Sequence, residues 1–441
     1  MPKIKPFKAV IYNQENIKKL AAVACPPYDV ISPAQQEYYH ELNPYNFIRI
    51  ILGKHIPGED KYRRSAAYFK DWLKNNIFVQ EQKLAIYFYS QQYNVKGERK
   101  SRLGFIALLH LEDKNSSIFA HEHTKLAPKE DRLRLLKAVK ANLSPIFVAF
   151  IDKERIIQRI YQQYLEDKNP FIDITDEYRV NHKVWRIDAP EIITKIQAAL
   201  KDKNIFIADG HHRYEVACAF KEEMKKKTGS ITGEEDFNYI MAYFTNAESR
   251  DLTIFPVHRL VKLNPKFNMD DFKASLSEYF VLEEVRDKAS FFFLMEKGGR
   301  TENVLGMYKD RKYWLLRLKN IKILDKMIAD KPKECRSLDV SILNSIILKK
   351  IMGVSLEENE DILYSPDAEQ FIEKVDNAKG YIAFLLNPVK MQQVSAVAVT
   401  GNRMPPKSTY FYPKVLSGLV INKFGQEMTR RWLYSASPNI L

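Results

Sequence analysis

The run Ile205-Phe206-Ile207-Ala208-Asp209-Gly210-His211-His212-Arg213-Tyr214-Glu215 changes periodicity in its middle. Its apolar residues end at Ala208, the chain turns at Asp209-Gly210, and two histidines and an arginine follow directly. Beyond the turn, Val216, Ala217, Phe220 and Met224 recur on one face of a helix, while Glu222 and Lys225 point away. The spacing predicts a strand, a tight turn, and a helix start carrying two imidazoles and a guanidinium. Asp209 stands where a side chain caps a helix, and Gly210 lets the backbone approach a ligand closely. The first-turn amides, with Arg213 beside them, suit an anion, most naturally a phosphate. A capped helix with ordinary surface histidines is the simpler reading; two imidazoles and a guanidinium at one turn favour a site.

At 441 residues the chain exceeds one usual core, so two or three domains are expected. Its character changes near residue 262, which separates a region 1–262 from a region 263–441. A hydrophobic share of 45% with 12% aromatics supplies material for folded cores. No apolar run reaches the length of a membrane span, and the first residues lack the apolar region and cleavage site of a signal peptide. Cys25, Cys218 and Cys335 are far apart and odd in number, suggesting neither a disulfide framework nor metal-ligand spacing. These features predict a soluble cytoplasmic protein. The formal net charge of +14 includes Lys225, Lys226 and Lys227 at a helix C-terminal end, where cations suit the dipole, and a basic stretch at 319–333. No nucleic-acid motif accompanies it, so anionic substrates or a lysine-rich composition account for it better than nucleic acid.

Pro26 and Pro27 in Cys25-Pro26-Pro27-Tyr28-Asp29 exclude helix and predict an extended loop holding Tyr28 and Asp29. Residues 47–52 read as a strand, and 60–76 as an amphipathic helix with Tyr62, Ala66, Phe69 and Leu73 inward. Residues 84–90 and 102–111 read as hairpin strands with Gly97 in the turn. Residues 131–143 read as a helix with Asp131 near its start, 144–151 and 180–187 as strands, and 189–201 as a helix. Strands follow at 237–246 and 252–260, then a helix within 270–300 and a hairpin within 303–318. Residues 337–353 read as one helix from Asp339 to a Gly353 cap, 381–387 as a strand and 391–401 as a helix.

Four polar clusters can carry chemistry: Pro26–Asp29, His121–Lys125, Asp209–Glu215 and Lys407–Lys414. In His121-Glu122-His123-Thr124-Lys125, Glu122 can accept a proton from a substrate hydroxyl, and Lys125 or Lys129 can steady phosphate charge. A solvated polar loop is the alternative. His121, His123, His211 and His212 are four imidazoles, but no cysteine joins them and Lys125 stands where an HExxH helix needs histidine. No protein-held metal is assigned, although a nucleotide would bring Mg²⁺, bound through carboxylates and phosphate oxygens. Lys407, Ser408 and Thr409 can hold a phosphate or carboxylate, with the neighbouring aromatics as core or wall; the glycines of a Walker A loop are missing. His258-Arg259 stands between a structural and a functional reading.

Together these stretches resemble one family along nearly the whole chain. CPPYDVIS, NPYN, HEHT, KEDRLRLLKAVKANLSPIF, IADGHHRYEVA, FPVHRL, SLDVSIL and MPPKSTYFYPKVLSGLV identify the chain as a member of the prokaryotic "domain of unknown function 1015" family, whose name carries no activity. A more distant similarity is to ParB-like free serine kinases, relatives of the ParB and sulfiredoxin fold, through HE-x-T followed by DGHHR. That resemblance implies an α+β protein, with a ParB/sulfiredoxin-like core carrying large insertions and a C-terminal α/β region. It implies that Glu122, assisted by His121 and Arg213, serves catalysis. Asp209, Gly210, His211, His212, Arg213 and Lys125 would cradle the phosphates of ATP or ADP with Mg²⁺. Tyr28, Asp29, Thr124, Lys407, Ser408 and Thr409 would face the substrate, although PPYD and KSTYFYPK have no counterpart in those kinases. The expected activity is phosphoryl transfer to a hydroxyl amino acid such as free L-serine, giving O-phosphoserine. A non-catalytic nucleotide-binding regulator with ParB-like DNA or protein partners is the alternative, and a metal-dependent hydrolase a third.

Overall fold

The computed structural model describes the chain except residues 113–115, 123, 125, 229–231, 356–359 and 426–441. It divides into two compact units. The first gathers Met1–Ile118, Thr124–Asp251 and the described residues from Pro413; the second holds a short segment from Phe119 and the span Leu252–Tyr412. Each mixes helices with sheet, so the protein is α+β.

In the first unit a twisted sheet runs in the order Ile205–Asp209, Ile146–Phe150, Tyr239–Asn246, Glu98–His110, Ile86–Val95, Asn181–Ile187, Ile172–Thr175. Ile146–Phe150 and Tyr239–Asn246 are parallel, and the remaining neighbours on this path are antiparallel. Parallel neighbours need a long crossover, and the intervening chain supplies it with the strands Ile172–Thr175, Asn181–Ile187 and Ile205–Asp209 and the helices between and after them, ending in His211–Thr228. The central strands are near-continuous apolar runs: Ile86–Tyr89, Phe105–Leu109 and Tyr239–Phe244 are buried throughout, as strands covered on both faces must be. The hairpin joining Ile86–Val95 to Glu98–His110 closes at Lys96-Gly97, where both residues have positive φ (50° and 82°), the conformation a two-residue turn demands. The helix Pro190–Leu200 starts on proline, whose missing amide costs nothing there, and buries Ile192, Ile193, Ile196 and Leu200 at helical spacing.

The second unit contains a six-stranded antiparallel sheet in the order Phe280–Val285, Lys312–Leu318, Val304–Lys309, Tyr381–Leu385, His258–Lys262, Ile362–Ser365. Phe291 and Met295 from the helix Lys288–Gly298, and Phe371 and Val375 from Ala368–Asn377, bury against Leu315, Ala383 and Leu385. No described helix is long and apolar enough to cross a membrane.

Several local expectations change. Residues 47–52 are not a strand: Ile48–Ile51 is one helical turn with Ile48, Ile50 and Ile51 all buried, so no alternation existed to read. Asn46 starts it, its Oδ1 accepting from the Ile48 amide at 2.9 Å while its Nδ2 donates to the Ala22 carbonyl at 2.8 Å. The helix Lys61–Lys74 is capped by Asp60 and buries Ser65, Phe69 and Trp72, a stripe rotated from Leu73. Asp131 does not open its helix, which spans Leu126–Val139; Asp131 instead accepts from Lys61 Nζ at 2.7 Å and Tyr62 Oη at 2.8 Å. Pro256, with no amide to donate, splits 252–260 into Thr253–Phe255 and His258–Lys262, which pair with different strands. Residues 270–300 hold two helices, Met269–Ser277 and Lys288–Gly298, around the strand Phe280–Val285. The long helix from Asp339 becomes a π-helix at Leu343–Ile351, a geometry invisible to periodicity.

Gly104 permits a close approach in the first sheet. A Cβ there would lie 2.2 Å from the Phe244 carbonyl oxygen and 2.5 Å from the Tyr243 ring. We predict that Gly104→Ala lowers unfolding free energy by about 1–3 kcal/mol, as overpacking does. Chemical denaturation tests this; an unchanged midpoint would show that the strands can yield.

Candidate functional site

The strand Ile205–Asp209 is buried from Ile205 to Ala208, and its pairing with Ile146–Phe150 shifts register between Ile207 and Asp209. Such an irregularity re-aims the residue that follows it. Asp209 is therefore the last strand residue, and its carboxylate does not turn to the helix amides as a cap would. Oδ1 accepts from Lys414 Nζ at 2.6 Å, and Oδ2 from Arg213 Nη2 at 2.9 Å. Gly210 follows with φ 89°, and a Cβ there would lie 3.0 Å from both Arg213 Cζ and Ile146 Cγ2, so conformation and space both select glycine. Tyr214 N donates to the Gly210 carbonyl at 3.0 Å, placing His211, His212 and Arg213 in the first turn of an eighteen-residue helix. Arg213 Nη1 donates to the Pro145 carbonyl, while its Nε is buried with no hydrogen-bond partner among the described residues.

Burial alone would raise the Asp209 pKa. The charges of Lys414 and Arg213, with the Lys414 hydrogen bond and His211, outweigh it and hold the carboxyl down at about 2. Two cations thus meet one anion at a helix N-terminus, an arrangement with positive charge left over for an anionic ligand.

The proline pair delivers Tyr28 to the same surroundings. Pro27 is extended (φ −64°, ψ 149°), and Tyr28–Val30 then forms a short 3₁₀ turn inside the predicted loop. Cys25 N donates to Ser417 O at 3.3 Å and Ser417 N to Cys25 O at 2.9 Å, anchoring the loop. The Arg132 guanidinium lies 4.0 Å from the Tyr28 ring centroid. Arg132 Nε donates to Asp131 Oδ2 at 2.8 Å and Nη1 to the Ile51 carbonyl at 2.6 Å. Burial, then Asp29, pushes the Tyr28 hydroxyl well above its ordinary range, while Arg132 and Arg213 pull against the shift. Tyr28 therefore shares the field of Arg213 and Asp209; Asp29 is exposed beside it. Thr124 donates to Glu215 in the helix that follows the turn, and Lys129 Nζ reaches the same carboxylate at 3.2 Å. His123 and Lys125 lie outside the described residues.

His121 and Glu122 belong to the second unit, with Lys407, Ser408 and Thr409. Glu122 bridges Met404 in parallel, and Met404 N donates to the His121 carbonyl at 2.7 Å. Arg403 Nη1 donates to the Glu122 carbonyl at 2.9 Å, and the Lys407 amide donates to Glu122 Oε1 at 2.8 Å. Lys407 takes a left-handed conformation (φ 59°) that non-glycine residues seldom adopt. His121 is fully buried, its Nε2 3.3 Å from Thr409 Oγ1, and Ser408 Oγ donates to the Pro405 carbonyl at 2.5 Å. The fully buried Arg259 donates to the Lys407 carbonyl at 3.0 Å; burial lowers its pKa to about 10, against the opposing pull of Tyr364 and Glu122. His258 Nδ1 accepts from the Leu386 amide at 3.1 Å, and burial with Arg259 beside it pushes its pKa down to about 3, so His258-Arg259 supports the loop from within.

The two sets thus differ in address: Asp209–Arg213 and Tyr28-Asp29 share the first unit, Glu122 and Lys407–Thr409 the second. Lys414 and Arg132 were missed as site residues. Lys414 closes the KSTYFYPK cluster and Arg132 follows Asp131, but neither spacing shows where its charge goes. Among the described residues no group of three or more His, Cys, Asp and Glu side chains could hold a metal ion.

Asp209 makes stability pH-dependent in a defined direction. Its folded pKa of about 2 lies below the ordinary 3.8, so its contribution is fully present above 3.8 and is lost as pH falls towards 2. That contribution is on the order of 2 kcal/mol. Denaturant melts of Asp209→Asn should show a deficit of that order at pH 7 that shrinks towards pH 3. A deficit independent of pH would assign it to packing.

The family described as "Protein of unknown function (DUF1015)" matches residues 4–341. No curated protein matches the chain. Among solved structures, a free serine kinase in complex with AMP is 12% identical over 67% of this chain and 83% of its own, with a TM-score of 0.33. A mutant free serine kinase in complex with ADP is 11% identical over 67% and 84%, with a TM-score of 0.32. SbnI from Staphylococcus aureus, truncated at its C-terminus, is 11% identical over 71% and 86%, with a TM-score of 0.33. With the match running through the prolines of Pro26-Pro27, Glu122, the 209–213 turn and Arg259, the chain belongs to the family of proteins of unknown function called DUF1015.

Proposed function

We propose that this protein is a nucleotide-dependent phosphotransferase that transfers a phosphoryl group to the hydroxyl of a small molecule, a hydroxyl amino acid such as free L-serine. The observation that carries the reading is the turn at 209–213. An ionised Asp209 orients Lys414 and Arg213 beside Gly210 at the start of a long helix, and the buried Arg213 Nε has no partner within the described protein. Phosphate oxygens supply the acceptors that helix N-termini and guanidinium groups seek. ATP or ADP fits these residues, with Gly210–Arg213 and Lys414 on the phosphates and Tyr28 beside them. When bound, the nucleotide supplies the phosphoryl group, and Mg²⁺ held by its oxygens neutralises charge.

The roles of this chain's residues follow from the demands of phosphoryl transfer, which are positioning and charge neutralisation. A new bond forms from the acceptor oxygen to phosphorus while the bond from phosphorus to the nucleotide's leaving oxygen breaks. Following the resemblance of HE-x-T to the serine kinases, Glu122 takes the acceptor proton. The Lys407 amide, donating to Oε1, fixes that carboxylate in one orientation. Arg213 and Lys414 balance the charge on the phosphate oxygens, and Lys407, Ser408 and Thr409 are the proposed contacts for the amino acid's charged groups.

Phosphorus NMR of the protein with Mg²⁺, ATP or ADP, and a panel of hydroxyl amino acids tests this. A new phosphomonoester resonance is expected with serine. Glu122→Gln should lower turnover about 100-fold or more while retaining nucleotide binding, as loss of a general base does. Absence of transfer to every acceptor would overturn the kinase reading; nucleotide bound without turnover would replace it with a nucleotide-binding regulator.

A further inference from the structure

Strand register places three buried polar residues in a row across the first unit's sheet. His182 pairs with Gln91, and Gln91 with Arg102. All three are completely buried. Arg102 Nη2 donates to Gln91 Oε1 and to the Pro413 carbonyl. Its guanidinium lies 4.5 Å from the Phe147 ring centroid and 5.7 Å from that of Tyr243. Gln91, its carbonyl taken by Arg102, turns its amide nitrogen to the Lys414 carbonyl at 2.9 Å. Tyr89, two residues before Gln91 and hence on the same face, presents its hydroxyl to the third member of the row. The same hydroxyl meets His182 Nδ1 at 2.6 Å, and His182 Nε2 meets Asp176 Oδ2 at 3.0 Å. Burial lowers the His182 pKa and keeps the ring neutral, so Tyr89 donates to Nδ1 and Nε2–H donates to Asp176.

Two backbone carbonyls of the return segment, those of Pro413 and Lys414, are therefore held from the sheet, by Arg102 and Gln91. Between them runs the backbone of Lys414, whose ammonium bonds Asp209 at 2.6 Å. Asp209 pairs in register with Phe147, the ring that Arg102 covers. Burying a guanidinium against carbonyls and rings costs more than burying an apolar side chain there. An apolar row would serve packing alone at lower cost.

We propose that the buried pair Gln91–Arg102 of this row is a positioning device that sets Lys414 against Asp209 and so presents its charge to the bound phosphate. The inference rests on the phosphate reading of the 209–213 turn. Neither Gln91 nor Arg102 touches the ligand; each acts through the backbone of the return segment.

The test is a double-mutant cycle on the full chain with two readouts. Calorimetric ADP affinity should fall about tenfold in Lys414→Met and by a similar factor in Arg102→Met and Gln91→Met, with each double variant no weaker than Lys414→Met alone. The carboxyl carbon resonance of Asp209 should titrate at higher pH in each single variant, and no higher in the doubles. Gln91→Met conserves volume and leaves the Arg102–Pro413 bond, so it reports even if Arg102→Met does not fold. A merely structural pair would lower the melting temperature while leaving the Asp209 titration where it is in the parent. That result, or strictly additive effects, overturns the proposal. If the parent itself fails to bind ADP, the phosphate reading falls, while the Asp209 titration still decides whether the pair positions Lys414.

Discussion

A buried carboxylate stays ionised only where cations or hydrogen-bond donors replace its lost hydration, and Asp209 has two cations at hydrogen-bond distance. Arg213 comes from four residues downstream and is delivered by the helix that the turn begins. Lys414 comes from 205 residues away. Local geometry therefore supplies half of the arrangement, and a long-range return of the chain supplies the other half. Without Lys414 the desolvation of Asp209 would be met by one partner; with it, strand end, helix start and return segment become one electrostatic unit. The low pKa of Asp209 is the thermodynamic trace of that closure.

The return segment is a structural element although it contains little regular structure. Pro413 and Lys414 give their carbonyls to the sheet, Ser417 exchanges hydrogen bonds with Cys25, and Ile421 with Val10. The Cys25–Asp29 loop is held by the same segment that carries Lys414. Tyr28 and Lys414 thus reach one neighbourhood for one reason: both hang from backbone pinned around residues 413–417.

The second unit also fixes a carboxylate. Glu122 accepts at Oε1 from a backbone amide, and the amide belongs to Lys407 in a left-handed conformation. Arg259, fully buried, holds the Lys407 carbonyl and with it that conformation. A strained backbone with a buried arginine behind it is the kind of expense found where a side chain must face one way. It gives the PVHRL and MPPKST stretches, so different in composition, a common purpose.

Much of the architecture was legible in the chain itself. The strand, turn and helix at 205–228, the hairpin at Gly97, the helices at 190–200 and 391–399 and the strands at 146–150, 181–187, 239–246 and 381–385 follow from apolar periodicity and punctuation, because those signals act within a few residues. The polar clusters were legible too, since imidazoles, carboxylates and lysines at turns are visible as residue types. Short apolar runs were not: 47–52 became a helix because Asn46 bonds Ile48 locally and Ala22 across the chain, and 280–285 became a strand because Lys312–Leu318 offered it an edge. Nor could spacing show that Asp209 would forgo the helix cap for Lys414, or that Gln91, Arg102 and His182 would align across three strands. What the sequence determined by itself is what short-range sterics and burial period decide: element types, the glycine at 210, the charges available. What only the tertiary structure decided is which charge meets which, because a carboxylate's pKa and an arginine's orientation depend on partners whose distance along the chain carries no signal.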